Sequence, residues 1–203
     1  FSSPQAIEKL LAECVDLVEP PFVSGLHFDF EIYNGANFEA IRNYRRFLKT
    51  LSAQLRERAP NRSLSVFLPA QADDALYDAS TLNLMNLVVS QSYDTHYRSS
   101  KNAGPVAPLT GPDGLTWRSA ATEALDLGVS KDRLFLTFPL YGYEWTVKDN
   151  KLRSSTQNPG ITTTFSRISK ELLPDIQVSV TQRVHQYGAY HDPSSGSSYY
   201  QFK

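Results

Sequence analysis

Apolar residues recur along this chain with two periods, one helical and one of two residues. Behind Ser2-Ser3-Pro4, a cap followed by proline in the first turn, Ile7, Leu10, Leu11, Cys14, Leu17 and Val18 fall at helical spacing and predict a helix to about Glu19. Pro20-Pro21 ends it. From Ser24 to Glu31 the period drops to two. Leu26, Phe28 and Phe30 alternate with His27, Asp29 and Glu31, which predicts a strand with one buried and one polar face, finishing at Glu31. A loop with Asn34-Gly35 follows. Asn37 then caps a second helix, whose Ile41, Tyr44, Leu48, Leu51 and Leu55 are spaced 3, 4, 3, 4. Pro60-Asn61-Arg62 breaks the pattern, and Leu64 to Leu68 reads as a second strand stopped by Pro69.

Ala72 to Leu82 reads as a weak helix or a loop, and Met85 to Val89 as a third strand leading into Ser90-Gln91-Ser92-Tyr93-Asp94. His96 and Tyr97 belong to a loop over the sheet that continues through Gly104-Pro105-Val106-Ala107-Pro108. Trp117, Ala121, Ala124 and Leu125 mark a helix closed by Gly128, and Leu134 to Phe138 a fourth strand. Three crossovers of helical length predict a parallel α/β sheet with helices outside, whose functional groups gather at the C-terminal strand ends. After Trp145 the pattern changes. Thr156 to Gly160 is turn-like and Phe165 to Leu173 a short helix. The remainder alternates as two or three antiparallel strands joined by Asp192-Pro193-Ser194-Ser195-Gly196. The division expected is a domain over residues 1–145 and a small α+β insertion over 146–203.

Composition narrows the partners. With 203 residues, 41% of them apolar, the chain can bury a core. A net charge of −1 with acids and bases interspersed leaves no footprint for nucleic acid or an anionic membrane. The densest basic run, Arg42, Arg45, Arg46 and Lys49, reads as the solvated face of the second helix. Cys14 reads as a buried thiol on an apolar stripe, and one cysteine allows no intrachain disulfide. His27, His96, His185 and His191 show no tight ligand spacing, so neither a metal nor another cofactor is expected. No apolar run is long enough to span a bilayer, and no basic-then-apolar leader opens the sequence.

Three strand ends resemble one family. Gly25-Leu26-His27-Phe28-Asp29-Phe30-Glu31 resembles the second half of the DxxDxDxE strand of glycoside hydrolase family 18. Gln91-Ser92-Tyr93-Asp94 resembles its MxYD strand end, and Phe138-Pro139-Leu140-Tyr141-Gly142 its PFYG strand end. The segments Gly104–Pro108 and Pro139–Trp145 look most like the bacterial branch that includes spore-wall N-acetylglucosaminidases. The resemblance implies part of a (β/α)8 barrel, strands four to seven, with the tail as the α+β insertion between strands seven and eight. The remaining strands are then expected from the rest of a longer chain or from another copy, because open sheet edges invite association.

The resemblance also implies an activity: hydrolysis of β-linked N-acetylglucosamine in chitin-like or peptidoglycan glycans, with retention, assisted by the sugar's own acetamido group. Glu31 would be the general acid/base. Asp29 would orient the acetamido N–H, and Tyr93 would hold its carbonyl oxygen. Asp94, Gln91 and His27 would line the sugar site, with Tyr141, Tyr143 and Trp145 stacking on sugar faces. A secreted or cell-envelope location follows from the family. Without the family match, Asp29 and Glu31 also read as strand-end polar residues, Tyr93 as a core tyrosine, and the three later aromatics as packing of the insertion. Two positions depart from the motif: Ser24 and His27 stand where the family has aspartates, and His27 is positioned to hydrogen-bond Asp29 instead. The alternative reading is therefore a chitinase-like protein that binds carbohydrate with weak or no turnover.

Overall fold

A computed structural model of the chain describes residues 1, 3–31, 37–70, 76–149, 151–167, 170, 190–192 and 197–199. Helix α1 (Pro4–Leu17) starts where Ser3 accepts a hydrogen bond from the Ala6 N–H, and helix α2 (Phe38–Arg58) starts where Asn37 accepts one from Glu39. Between them lies strand β1 (Gly25–Phe28), followed after α2 by β2 (Ser63–Leu68), the one-turn helix α3 (Ala79–Leu82) and β3 (Leu87–Ser90). Helix α4 (Trp117–Asp126) leads to β4 (Leu134–Leu136). The four strands pair in parallel, in the order β1-β2-β3-β4, with the β1 and β4 outer edges unpaired among the described residues.

The chain divides into two units: residues 1–91 with 120–136, and residues 92–119 with 137–203. The first holds the sheet and an apolar core in which Val18, Leu48, Leu51, Val66, Leu82 and Val88 are 0% exposed. Each such side chain contributes about 1.5–3 kcal/mol by leaving water. The close β1–β2 pairing depends on Gly25, where a Cβ atom would sit 2.1 Å from the Ser63 carbonyl oxygen. Helix α4 ends as expected at Gly128, with φ 89°. Cys14 is buried in the core, and burial, with Glu13 adding to it, pushes its thiol pKa up.

Three expectations need correction. Strand β1 stops at Phe28, short of Glu31, and β4 at Leu136, short of Phe138. The alternation of residue types runs on past the last paired backbone group, and Phe30 and Phe138 beyond it are exposed. The basic run on α2 is not all solvated. Arg45, half-buried, lies 3.0 Å from Asp78 and also donates to the Leu76 carbonyl, whereas Lys49 donates to the Ser80 hydroxyl while remaining exposed. These residues fasten α3 to α2.

The second unit contains the antiparallel pairs β5 (Tyr141–Glu144) with β6 (Ile161–Thr164) and β7 (Tyr190–Asp192) with β8 (Ser197–Tyr199). The helix expected over Phe165 to Leu173 is described only as the single turn α5 (Phe165–Arg167). Residues 168–169 and 171–173 lie outside the described residues, as do 193–196 of the expected connection and His185. Among the described residues no helix is long and apolar enough to cross a membrane.

Candidate active site

The residues singled out in the sequence fall into two groups, one in each unit. In the first unit, His27, Asp29 and Glu31 are exposed, at and beyond the C-terminal end of β1. What fixes them is the opposite parity of the same stretch. The Phe28 ring meets Phe47 edge-on at 5.5 Å and the Phe30 ring meets Tyr44 at 5.1 Å, while Phe28 and Phe30 stack at 6.2 Å. Phe1 closes the cluster against Phe30 at 5.7 Å and Tyr44 at 5.1 Å. Aromatic contacts thus carry the two-residue alternation beyond the ladder, so Asp29 and Glu31 stay on the polar side without strand hydrogen bonds.

Beneath the ring cluster, the Tyr44 and Tyr77 hydroxyls pair at 3.1 Å. Burial pushes the Tyr44 pKa up to about 12. Tyr77 is pushed up further, by burial first, then by Tyr44 and by the negative charge of Asp29. Both tyrosines are therefore neutral hydrogen-bonding groups at any physiological pH. His27 does not use its Nδ1 atom on Asp29 as expected. That nitrogen lies 2.9 Å from the Ser65 hydroxyl, directly across the β1–β2 register, and Ser65 also donates to the Leu26 carbonyl at 3.2 Å. Gln91 is 7% exposed, and its side-chain oxygen accepts from the Ala70 N–H at 3.1 Å, tying the end of β3 to the end of β2.

In the second unit, Asp94 has φ 62°, in the left-handed region, and its carboxylate accepts a hydrogen bond from the Tyr141 hydroxyl at 3.0 Å. Burial raises the Tyr141 pKa, and the hydrogen bond to Asp94 and its charge raise it further, so the proton stays on the phenol. Tyr143 is raised as well, by burial and then by Asp94. Tyr93, Tyr141, Tyr143 and Trp145 form a row with successive ring-centre distances of 6.4, 5.6 and 5.5 Å. Tyr141 and Tyr143 share one face of β5. Glu144, on the other face, pairs with Arg167, which also reaches the Thr163 hydroxyl at 3.3 Å. The Trp145 indole lies on Gly160, where a Cβ atom would come within 2.6 Å of Nε1. That nitrogen is buried without a partner among the described residues.

Sequence reading missed Ser65, Tyr77, Asp113 and Arg153. For Ser65 a signal existed: a hydroxyl inside the apolar run Leu64–Leu68, where bulk alone needs none. Asp113 and Arg153 are 40 residues apart and lie in no local pattern. Among the described residues no cluster of three or more His, Cys, Asp or Glu side chains is placed to hold a metal ion.

Solved structures share this arrangement of elements. A glycoside hydrolase family 18 N-acetylglucosaminidase from Paenibacillus barengoltzii is 16% identical, with a TM-score of 0.78 over 98% of this chain and 62% of that one. A family 18 chitinase from Cycas revoluta, in complex with (GlcNAc)3, is 19% identical, with a TM-score of 0.79 over 98% and 60%. Catalytic domain 2 of the Group II chitinase from Ostrinia furnacalis is 17% identical, with a TM-score of 0.79 over 99% and 57%. The chain thus spans about three fifths of the length of these structures. No curated protein sequence matches it. The four parallel strands are accordingly part of a (β/α)8 barrel. The model of the glycosyl hydrolases of family 18 matches residues 1–202, and to that family this chain belongs.

Proposed function

We propose that this chain is the catalytic part of a retaining glycosidase acting on β-linked N-acetylglucosamine, in chitin-like or peptidoglycan strands, with Glu31 as its general acid/base. The observation that carries the reading is the pair of exposed carboxylates, Asp29 and Glu31, held past the C-terminal end of a parallel strand by rings on the opposite face. Solvent-exposed carboxylates at the C-terminal end of a barrel strand are placed for chemistry rather than for packing.

The reaction runs in two steps. Glu31 gives its proton to the glycosidic oxygen while the substrate's acetamido oxygen attacks the anomeric carbon and the leaving sugar departs. Water then adds to the same carbon, its proton passing to the Glu31 carboxylate, and the configuration is retained. Asp29 orients the acetamido N–H, and the Tyr93 hydroxyl holds its oxygen. Asp94, Gln91 and His27 contribute polar contacts, and Tyr141, Tyr143 and Trp145 stack on sugar faces, with residues 146–203 as the insertion. The Cycas revoluta chitinase was solved with (GlcNAc)3 and with allosamidin, and a double mutant of it with (GlcNAc)4, which supports a sugar of this class here. Further strands, from a longer polypeptide or from a second copy, pair with the outer edges of β1 and β4. The protein works outside the cell or in its envelope.

The test is fluorophore release from chitobiose and chitotriose conjugates by the full-length protein and by Glu31→Gln. Loss of about a hundredfold to ten-thousandfold in kcat is expected on removing the acid. Unchanged activity in Glu31→Gln would sink the assignment. Binding of these sugars without any turnover would favour the second reading, a carbohydrate-binding relative, for which the engagement of His27 by Ser65 speaks.

A further inference from the structure

The turn that carries Tyr93 and Asp94 keeps a backbone conformation that side-chain-bearing residues rarely adopt, since Asp94 has φ 62°. Aspartate visits this region more readily than most residues, and here both flanks of the turn are bonded. On the N-terminal flank the Ser92 hydroxyl donates to the Thr137 carbonyl. On the C-terminal flank the Thr95 N–H donates to the Val106 carbonyl at 3.0 Å and the Thr95 hydroxyl to the Leu115 carbonyl at 2.7 Å. His96 follows. Its Nδ1 lies 3.0 Å from the Pro105 carbonyl, and because a carbonyl only accepts, that nitrogen carries the proton. The ring fills the space over Gly104, where a Cβ atom would lie 2.4 Å from it.

The other side of the ring faces Asp113, with Nε2 3.8 Å from Oδ1. The same Oδ1 receives Arg153 Nη1. Arg153 is itself in the left-handed region, at φ 58°, and its carbonyl accepts from the Asn102 side chain at 2.8 Å. Asp113 is 12% and His96 14% exposed, and Asp113 Oδ2 is buried without a hydrogen-bond partner among the described residues. Backbone bonds from Ala103 to Ser154 and from Thr156 to Lys101 join the same two loops. Backbone bonds thus already join the two loops, and a buried carboxylate with one unsatisfied oxygen is a costly addition to them.

We propose that Asp113 is a positioning residue. By packing against the His96 ring on one side and pairing with Arg153 on the other, it fixes the left-handed turn at Asp94, so that the Asp94 carboxylate meets the Tyr141 hydroxyl with Tyr93 beside them. Its kinetic consequence rests on the glycosidase reading; its structural consequence does not.

The experiment uses the full-length protein and Asp113→Asn, with Arg153→Gln opening the clamp from its more exposed end. Amide hydrogen exchange at Thr95 and the NMR signals of labelled Tyr141 read the turn, and kcat and KM on the chitotriose conjugate read its consequence. Both variants are expected to exchange the Thr95 amide about tenfold faster or more, and to shift the Tyr141 signals. They are expected to lose about tenfold to a hundredfold in kcat with little change in KM, as for a misplaced group near the reacting centre. Asp113→Glu should recover part of both. Unchanged exchange at Thr95 overturns the proposal, as does faster exchange with unaltered kcat, which would leave Asp113 a loop staple only. If the unaltered protein cleaves no N-acetylglucosaminide, the glycosidase reading falls, and exchange together with the Tyr141 signals still decides the role of Asp113.

Discussion

Each of the two units is held by a different kind of force. Every member of the buried apolar cluster, from Cys14 to Val129, lies in the first unit, where helices α1 and α2 and the sheet shelter large aliphatic and aromatic side chains. Among the described residues of the second unit, the buried set includes the polar Ser92, Thr116, Ser154 and Thr163, each under 9% exposed, and no large apolar cluster. Its loops are fixed by directed bonds, such as Arg153 to Asp113, Arg167 to Glu144 and the reciprocal pair of Thr116 and Ser119 that starts α4. Apolar burial is tolerant of small displacements and cooperative over many contacts. Directed bonds hold a few atoms to a fraction of an ångström and fail singly. The first suits a scaffold, the second a surface that must present particular groups.

This contrast can be broken at three points. The largest effect is expected in the scaffold. Leu51→Ala removes a wholly buried side chain and should cost about 2–5 kcal/mol in urea-induced unfolding of the full-length protein. A midpoint that does not move would mean that the apolar cluster is not what holds the first unit. Next comes Gly104→Ala, whose methyl group meets the His96 ring. A local loss of about 1–3 kcal/mol is expected, read as faster proteolysis within residues 95–116. Unchanged cleavage there would show that the loop tolerates displacement as a core does.

The smallest effect is a polar tie inside the scaffold itself. Burial alone would raise the Asp78 pKa, but hydrogen bonds from Ser80 and Thr81, with the nearby Arg45 guanidinium, outweigh it and pull the value from 3.8 to about 2. A carboxylate depressed by folding stabilises above its ordinary value and loses that contribution as pH falls through the folded one. Asp78→Ala should therefore cost about 0.5–2 kcal/mol at neutral pH, as for a lost helix cap, and the difference from the unaltered protein should close between about pH 4 and pH 2. A difference that has not narrowed by pH 2 would assign the loss to packing and blur the contrast.

Much of the scaffold was legible in the sequence because its period reports burial directly. Ile41, Tyr44, Leu48, Leu51 and Leu55 are all buried on α2, as their spacing predicts, and Asn37, Ser3 and Gly128 mark helix ends by local chemistry. Backbone pairing is not encoded in that period, so the ends of β1 and β4 were placed too late. The candidate site divides the same way. Asp29 and Glu31 are visible as the polar parity of one strand. The bond from Tyr141 to Asp94 joins residues 47 apart, and that from Arg153 to Asp113 residues 40 apart, with no periodic signal to announce either. Arg45 reads as solvated because the sequence does not show that Asp78 and the Leu76 carbonyl lie within its reach.

The order of the sheet has a consequence for how the protein is made. Each strand pairs with the one synthesised just before it, from β1 through to β4. As the chain leaves the ribosome, β2, β3 and β4 each find their template already in place at the growing edge. The sheet can be laid down in the direction of translation, one crossover at a time.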